Sequence, residues 1–207
     1  MTNIIVAGCG TDVGKTVVSA VLTQALSYDY WKPIQCGDLE ASDSMTIQRL
    51  APTVQIHPPA YAFPDPISPH AAARRVEQPI DPERIVLPIT ERPLIIEPAG
   101  GILVPLTDHL LSIDLFSRWQ AAWVVVSRIY LGSINHTLMT IESLKARSID
   151  VRGIIFNEAD NRDTEETILH FSKLPCLGRI YREPDLTAHT IEGYARIWKT
   201  ALTRALS

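Results

Sequence analysis

The 207 residues are 46% hydrophobic and carry a formal charge of -4, enough apolar surface for a sizeable core and too little positive charge for a broad nucleic-acid or membrane-binding face. Three scattered cysteines, Cys9, Cys36 and Cys176, exclude a disulfide framework or a zinc site with paired ligands. With no cationic leader and no apolar run long enough to span a bilayer, the chain is expected to be soluble and cytoplasmic, one domain over residues 1–207, with small-molecule partners.

In chain order, the apolar run 3–7 predicts a buried strand. Gly8-Cys9-Gly10-Thr11-Asp12-Val13-Gly14-Lys15-Thr16 follows as a glycine-rich turn, and Val18, Val21, Leu22 and Ala25 then keep helical spacing. A second strand is expected over 30–34, ended by Pro33 and Gly37, and the proline-rich stretch 52–69 reads as a long loop. Further strands are expected over 94–97, 123–127 and 151–157. Helices are expected around Ile134, Leu138, Ile141 and Leu144, from Thr164, and at the end of the chain through Trp198. This alternation predicts an α/β fold with a mostly parallel central sheet and helices on both faces.

Strand, glycine-rich turn and helix come in the order a phosphate cradle requires, because backbone N–H groups at a helix N-terminus must converge on the anion. The usual G-x-x-x-x-G-K-[ST] spacing fails at Cys9. Starting from Gly8, the loop has one residue more than usual and still ends in Gly-Lys-Thr. In this reading Asp12, Val13 and Gly14 shape the cradle, Lys15 meets the β- and γ-phosphates, and the Thr16 hydroxyl ligates magnesium. Lys32 stands near the end of the second strand, where open α/β sheets collect ligands, although a strand-end lysine can equally face solvent. Asp43 is either a helix N-terminal residue or a metal ligand. Glu97, a carboxylate ending an apolar strand before Pro98-Ala99-Gly100-Gly101, is either a second metal-holding acid or half of a salt bridge.

The stretches YWKPIQCG, SDSMTI, SPHAAA, IEPAGGILVPL, LGSINHTL and GIIFNE, with the G-x5-G-K-T loop, resemble dethiobiotin synthetase in order and approximate spacing from position 4 to about 160. The resemblance implies a P-loop NTPase-like fold and an ATP- and magnesium-dependent cyclo-ligase acting on 7,8-diaminononanoate and carbon dioxide. One amine becomes a carbamate, ATP phosphorylates it to a mixed anhydride, and the neighbouring amine closes the ureido ring. Carried over by position, Thr11, Lys15, Lys32 and Cys36 line the diamine and carbamate end, Thr16, Asp43 and Glu97 hold magnesium, and Asn157 reads the adenine edge. The resemblance also implies a homodimer whose partner subunit helps to receive the substrate carboxylate through Asn135, a residue that the sequence alone would equally make a helix N-cap.

Three positions depart from the family pattern: Gly10 replaces Asp, Cys36 replaces Ser and Pro98 replaces Gly. They lead us to expect slower turnover or altered affinity. Two alternatives stay open at this point. One is a dimeric nucleotide-binding module whose turnover is impaired or lost. The other is a related P-loop amidation or partition ATPase, a group that often carries a signature lysine early in the loop; none occurs between Met1 and Asp12.

Overall fold

The computed structural model describes residues 2–206. Its central sheet is built from β1 (Asn3–Gly8), β2 (Asp29–Trp31), β4 (Ile56–His57), β6 (Leu94–Ile96), β7 (Ala121–Arg128), β8 (Val151–Asn157) and β9 (Cys176–Ile180). These seven strands run in the order β4-β2-β6-β1-β7-β8-β9, and every pairing is parallel. Parallel strands covered on both faces need apolar side chains on both, and β1 supplies them. Its Ile4 and Val6 enter the core beneath α1 (Lys15–Leu26), α2 (Asp43–Leu50) and α7 (Ala188–Leu206). Ile5 and Ala7 enter the opposite core, under α3 (Pro69–Arg75), α4 (Ser112–Phe116), α5 (Ser133–Lys145) and α6 (Arg162–Ser172). Among the described residues no helix is long and apolar enough to cross a membrane.

Two expectations about the first third of the chain are corrected. The strand expected over 30–34 breaks at Lys32-Pro33: β2 belongs to the main sheet, whereas β3 (Ile34–Cys36) pairs with β5 (Tyr61–Phe63) in a separate two-stranded parallel sheet. Proline has no N–H for the ladder, so the chain changes sheets there. The stretch 52–69 is likewise not one loop, because it contains β4 and β5 and reaches the start of α3. Its prolines bracket short strands instead of interrupting them.

Two helix starts also shift. α6 begins ahead of Thr164, whose N–H donates at 3.0 Å to the Asn161 side chain, the actual N-cap. The N-cap of α5 is Gly132 (φ 99°), so Asn135 lies inside the first turn and does not cap.

β1 occupies the centre of the sheet, with β6 and β2 on one side and β7 and β8 on the other. The chain leaves β1 toward β2 and later returns through β6 to β7, which opens a crevice at the C-terminal ends of these strands.

Candidate active site

The loop from Gly8 to Gly14 leaves the C-terminal end of β1 and turns into α1, whose N-cap is Gly14. Gly14 has φ 91°, and a Cβ built there would lie 2.2 Å from Asn157 Nδ2. Both the left-handed backbone and the close side chain therefore require glycine. Asn157 is 9% exposed and donates from Nδ2 to the Val13 carbonyl at 3.1 Å, so the end of β8 braces the loop from below. Gly10 is not in the left-handed region, and a Cβ there meets open space. Its freedom to adopt positive φ is unused, and Asp12 (φ 54°) makes the left-handed turn instead.

The loop opens onto a cavity of about 860 Å³. Thr11, Asp12, Gly14, Lys15 and Thr16 line it from the loop, Lys32 and Cys36 from the β2–β3 segment, and Asp43, Glu97 and Asn157 from the ends of other elements. Val13 does not line it: its side chain is buried in the core and its carbonyl serves Asn157. Asn135 is exposed on α5 and is not among the lining residues of its own chain's cavity.

Charge is concentrated where β1, β2 and β6 end. Glu97 is 1% exposed, and its N–H still donates to the Trp31 carbonyl at 3.0 Å, one residue beyond β6. Pro98 follows without an N–H and stops the ladder. The Ser19 hydroxyl and the Tyr30 phenol each donate to Glu97 Oε2 at 3.0 Å. Burial, then the charge of Glu97, raises the Tyr30 phenol well above its ordinary pKa, so it remains a donor.

That leaves Glu97 Oε1 facing Thr16 Oγ1 at 2.9 Å, and Thr16 Oγ1 also lies 2.5 Å from Asp43 Oδ1. One hydroxyl proton cannot serve two carboxylates at once. Three hard oxygens thus converge on one point, with Lys32 paired to Asp43 and 3.5 Å from Glu97 Oε1. Two carboxylates and a hydroxyl fit a small divalent cation that completes its shell with water and phosphate oxygens. Among the described residues, no group of three His, Cys, Asp or Glu side chains could hold a metal by itself. Asp43 lies in the first turn of α2, behind the Ser42 cap, which is the helix-start position expected of it, and its carboxylate also reaches this oxygen cluster.

The two lysines differ. Burial lowers the Lys15 ammonium below its ordinary pKa, against the opposing pull of Glu97, and its Nζ donates to the Gly10 carbonyl at 2.8 Å. Burial acts the same way on Lys32, but the charges of Glu97 and Asp43 and its hydrogen bonds to them outweigh it, so Lys32 is raised and firmly cationic. For Asp43, burial works toward a higher value, and Lys32 together with hydrogen bonds from Lys32, Thr16 and Gln35 brings it below. Cys36 is pushed up to about 11, by burial against the opposing Lys32 charge, so it is a neutral thiol at physiological pH. Cys9 lies outside the lining, and the three cysteines are free.

The opposite wall of the cavity, where no site residue was expected from the sequence, is formed by Glu158, by Ile180 at the end of β9, and by Tyr181, Arg182, Glu183 and Leu186 beyond it. Recognising the short edge strand 176–180 would have pointed there, because residues following parallel strand ends line the crevice.

A family model described as an AAA domain matches residues 2–190. A protein of Paramagnetospirillum magneticum named ATP-dependent dethiobiotin synthetase is 47% identical over 193 residues, 93% of this chain and 94% of that protein. One of the same name from Chlamydia felis is 42% identical, covering 95% and 94% of the two chains. Among solved structures, the cell division ATPase MinD of Pyrococcus furiosus superposes with a TM-score of 0.63 over 99% of each chain at 14% identity. A septum site-determining MinD of Pyrococcus horikoshii, complexed with Mg-ADP, gives 0.59 over 97% and 90% at 19% identity. At such identities the likeness concerns the fold.

Proposed function

The chain belongs to the family of ATP-dependent dethiobiotin synthetases, and on that premise we propose which of its residues carry the reaction. The activity is an ATP- and magnesium-dependent ring closure: 7,8-diaminononanoate and carbon dioxide give a carbamate, phosphorylation activates it, and the second amine closes the ureido ring of dethiobiotin. The residues 1–207 act as one synthetase domain.

Phosphoryl transfer between two anions is limited by positioning and charge neutralisation, so the task falls to cations and backbone donors. The N–H groups of Asp12, Val13, Gly14, Lys15 and Thr16 cradle the phosphates. Lys15, held by the Gly10 carbonyl within the loop, is placed to follow the β- and γ-phosphate oxygens. Lys32, kept cationic by its carboxylate neighbours, is placed to receive the carbamate oxygen as it attacks phosphorus. Thr16, Asp43 and Glu97 would hold magnesium, which supplies alignment and neutralisation of the terminal phosphates. Thr11 and Cys36 border the diamine. With its pKa near 11, the Cys36 thiol does not compete with the amine for the activated carbonyl carbon. Asn157 supports the loop through Val13 and sits on the side where the adenine is received.

We further propose a cytoplasmic homodimer in which Asn135 serves the partner's cavity. This reading is supported by its exposure on the first turn of α5, beside the exposed apolar side chains Leu131 and Met139.

The observation that carries the proposal is the convergence of Thr16, Asp43, Glu97 and Lys32 at the mouth of the loop. The test is a reaction containing diamine, bicarbonate and magnesium ATP, with cyclic urea and ADP quantified. Equal amounts of both products are expected only when all three substrates are present, and Lys15→Ala should abolish them. ADP release indifferent to the diamine would refute the proposal.

A further inference from the structure

The wall of the cavity opposite Lys32 is the segment from Ile180 to Leu186, which has no regular secondary structure beyond β9. Such a segment keeps its shape only if something outside it holds it. Side chains from α7 and α2 do so, among them Thr190, whose hydroxyl donates to the Asp185 carbonyl at 3.3 Å. The Tyr194 hydroxyl on α7 accepts the Tyr181 N–H at 3.1 Å and donates to Glu183 Oε1 at 2.5 Å, clasping one turn of the wall from behind. Arg49, in the last turn of α2, donates to the Leu186 carbonyl at 3.0 Å. Neither Tyr194 nor Arg49 lines the cavity. Tyr194 is half-buried, with its ring against Trp198 at a centroid distance of 6.0 Å. Between the two struts, Arg182 reaches toward Glu158 at 3.9 Å, and Glu158 is also paired with Arg128 at 3.1 Å.

The layout of the cavity decides what this wall meets. The glycine-rich loop lies in the middle, and Lys32, Cys36 and residues 66–69 lie on the β2–β3 side. Phosphates on the loop and a diamine beside Lys32 leave the β8–β9 side for the nucleoside. We infer that Tyr194, with Arg49 as a second strut, is a positioning residue for the nucleoside of ATP: it fixes the wall of residues 181–186 and thereby contributes to selection of the base. The inference rests on the ATP-dependent reading above. It also assigns α2 a double duty, since this helix carries Asp43 at one end and Arg49 at the other.

Tyr194→Phe deletes one hydroxyl and leaves the ring packing in place. The experiment compares calorimetric affinities of wild type and variant for magnesium ATP and for magnesium tripolyphosphate, which has the phosphates and no nucleoside. It is accompanied by KM and kcat with ATP and with GTP. In Tyr194→Phe, ATP affinity should fall and its KM rise about five- to twentyfold, the equivalent of one to two hydrogen bonds. Tripolyphosphate affinity and kcat should stay within about twofold, since the loop and the metal cluster are untouched, and the preference for ATP over GTP should narrow. ATP and tripolyphosphate affinities falling together, or neither changing, would overturn the inference. Should Tyr194→Phe melt early, Arg49→Ala on the exposed strut carries the same expectation and the same refutation. A wild-type protein that binds tripolyphosphate but not ATP would instead sink the underlying nucleotide reading.

Discussion

Replacing Lys32 with methionine removes one positive charge from between two carboxylates and keeps most of the side-chain volume. Lys32 is 7% exposed, Glu97 is 1% exposed, and the ammonium lies 3.5 Å from Oε1. At an effective dielectric of about 20, a unit charge pair at that separation is worth about 5 kcal/mol. The ammonium no longer has to be desolvated, which returns part of this, so the net loss should be about 2–4 kcal/mol. Asp43, with 26% of its side chain exposed, adds little because water can replace its partner. For a chain of this size, that loss corresponds to a melting point lower by about 4–16 °C. The assay is thermal unfolding followed by circular dichroism, in EDTA and then across a magnesium titration. The variant's unpaired carboxylates should take up the cation more readily, so magnesium should raise its midpoint further than it raises the wild type's. A variant as stable as wild type in EDTA, or one whose midpoint ignores magnesium, would refute the assignment of Lys32, Asp43 and Glu97 to one electrostatic cluster.

Gly14→Ala forces a side chain onto a residue at φ 91° and into contact with Asn157. We expect a loss of about 1–3 kcal/mol in stability and at least about tenfold in ATP affinity, and unchanged calorimetric binding would contradict the loop geometry. Because the fold holds the Cys36 proton more tightly than the unfolded chain does, the thiol's stabilising contribution is full below its ordinary 9.0 and is lost as the pH rises through about 11. Iodoacetamide labelling of Cys36 should therefore stay slow at neutral pH and climb toward about 11, and an inflection below the ordinary value would show that the thiol is not buried as described. Light scattering should give twice the chain mass of 23.0 kDa. Asn135→Ala should raise the KM for the diamine about tenfold and leave that for ATP unchanged, the loss expected for one hydrogen bond to a charged group. A fully active monomer would remove the role given to Asn135.

Much of the β1–α1 region was legible because its signals are local: an apolar run, glycines at a turn and helical spacing afterward. Strand 151–157 was legible for the same reason, being long and apolar on both faces. The division at Lys32-Pro33 was harder, since deciding whether a proline ends a strand or passes it to another sheet requires knowing the partner, here β5, 27 positions on from Ile34 to Tyr61. β9 escaped because it is a short edge strand with only Leu177 and Ile180 fully buried, too little periodicity to separate it from a turn. In the site, side chains at strand ends were readable as types. Their convergence was not: Thr16 meets Glu97 across 81 residues of sequence, and only the sheet order places β6 beside β1. Tyr194 left no sequence signal, because it acts from behind the wall through a loop whose strand went unread.

The fate of the two carbamate oxygens tests the central claim most directly. Bicarbonate fully labelled with heavy oxygen, given with diamine and magnesium ATP, supplies a carbamate with two labelled oxygens. One should leave bonded to phosphorus and the other remain as the ureido carbonyl. Mass spectrometry should therefore find singly labelled inorganic phosphate in step with labelled dethiobiotin, whereas unlabelled phosphate would mean that water, and not a carbamate beside Lys32, takes the phosphoryl group.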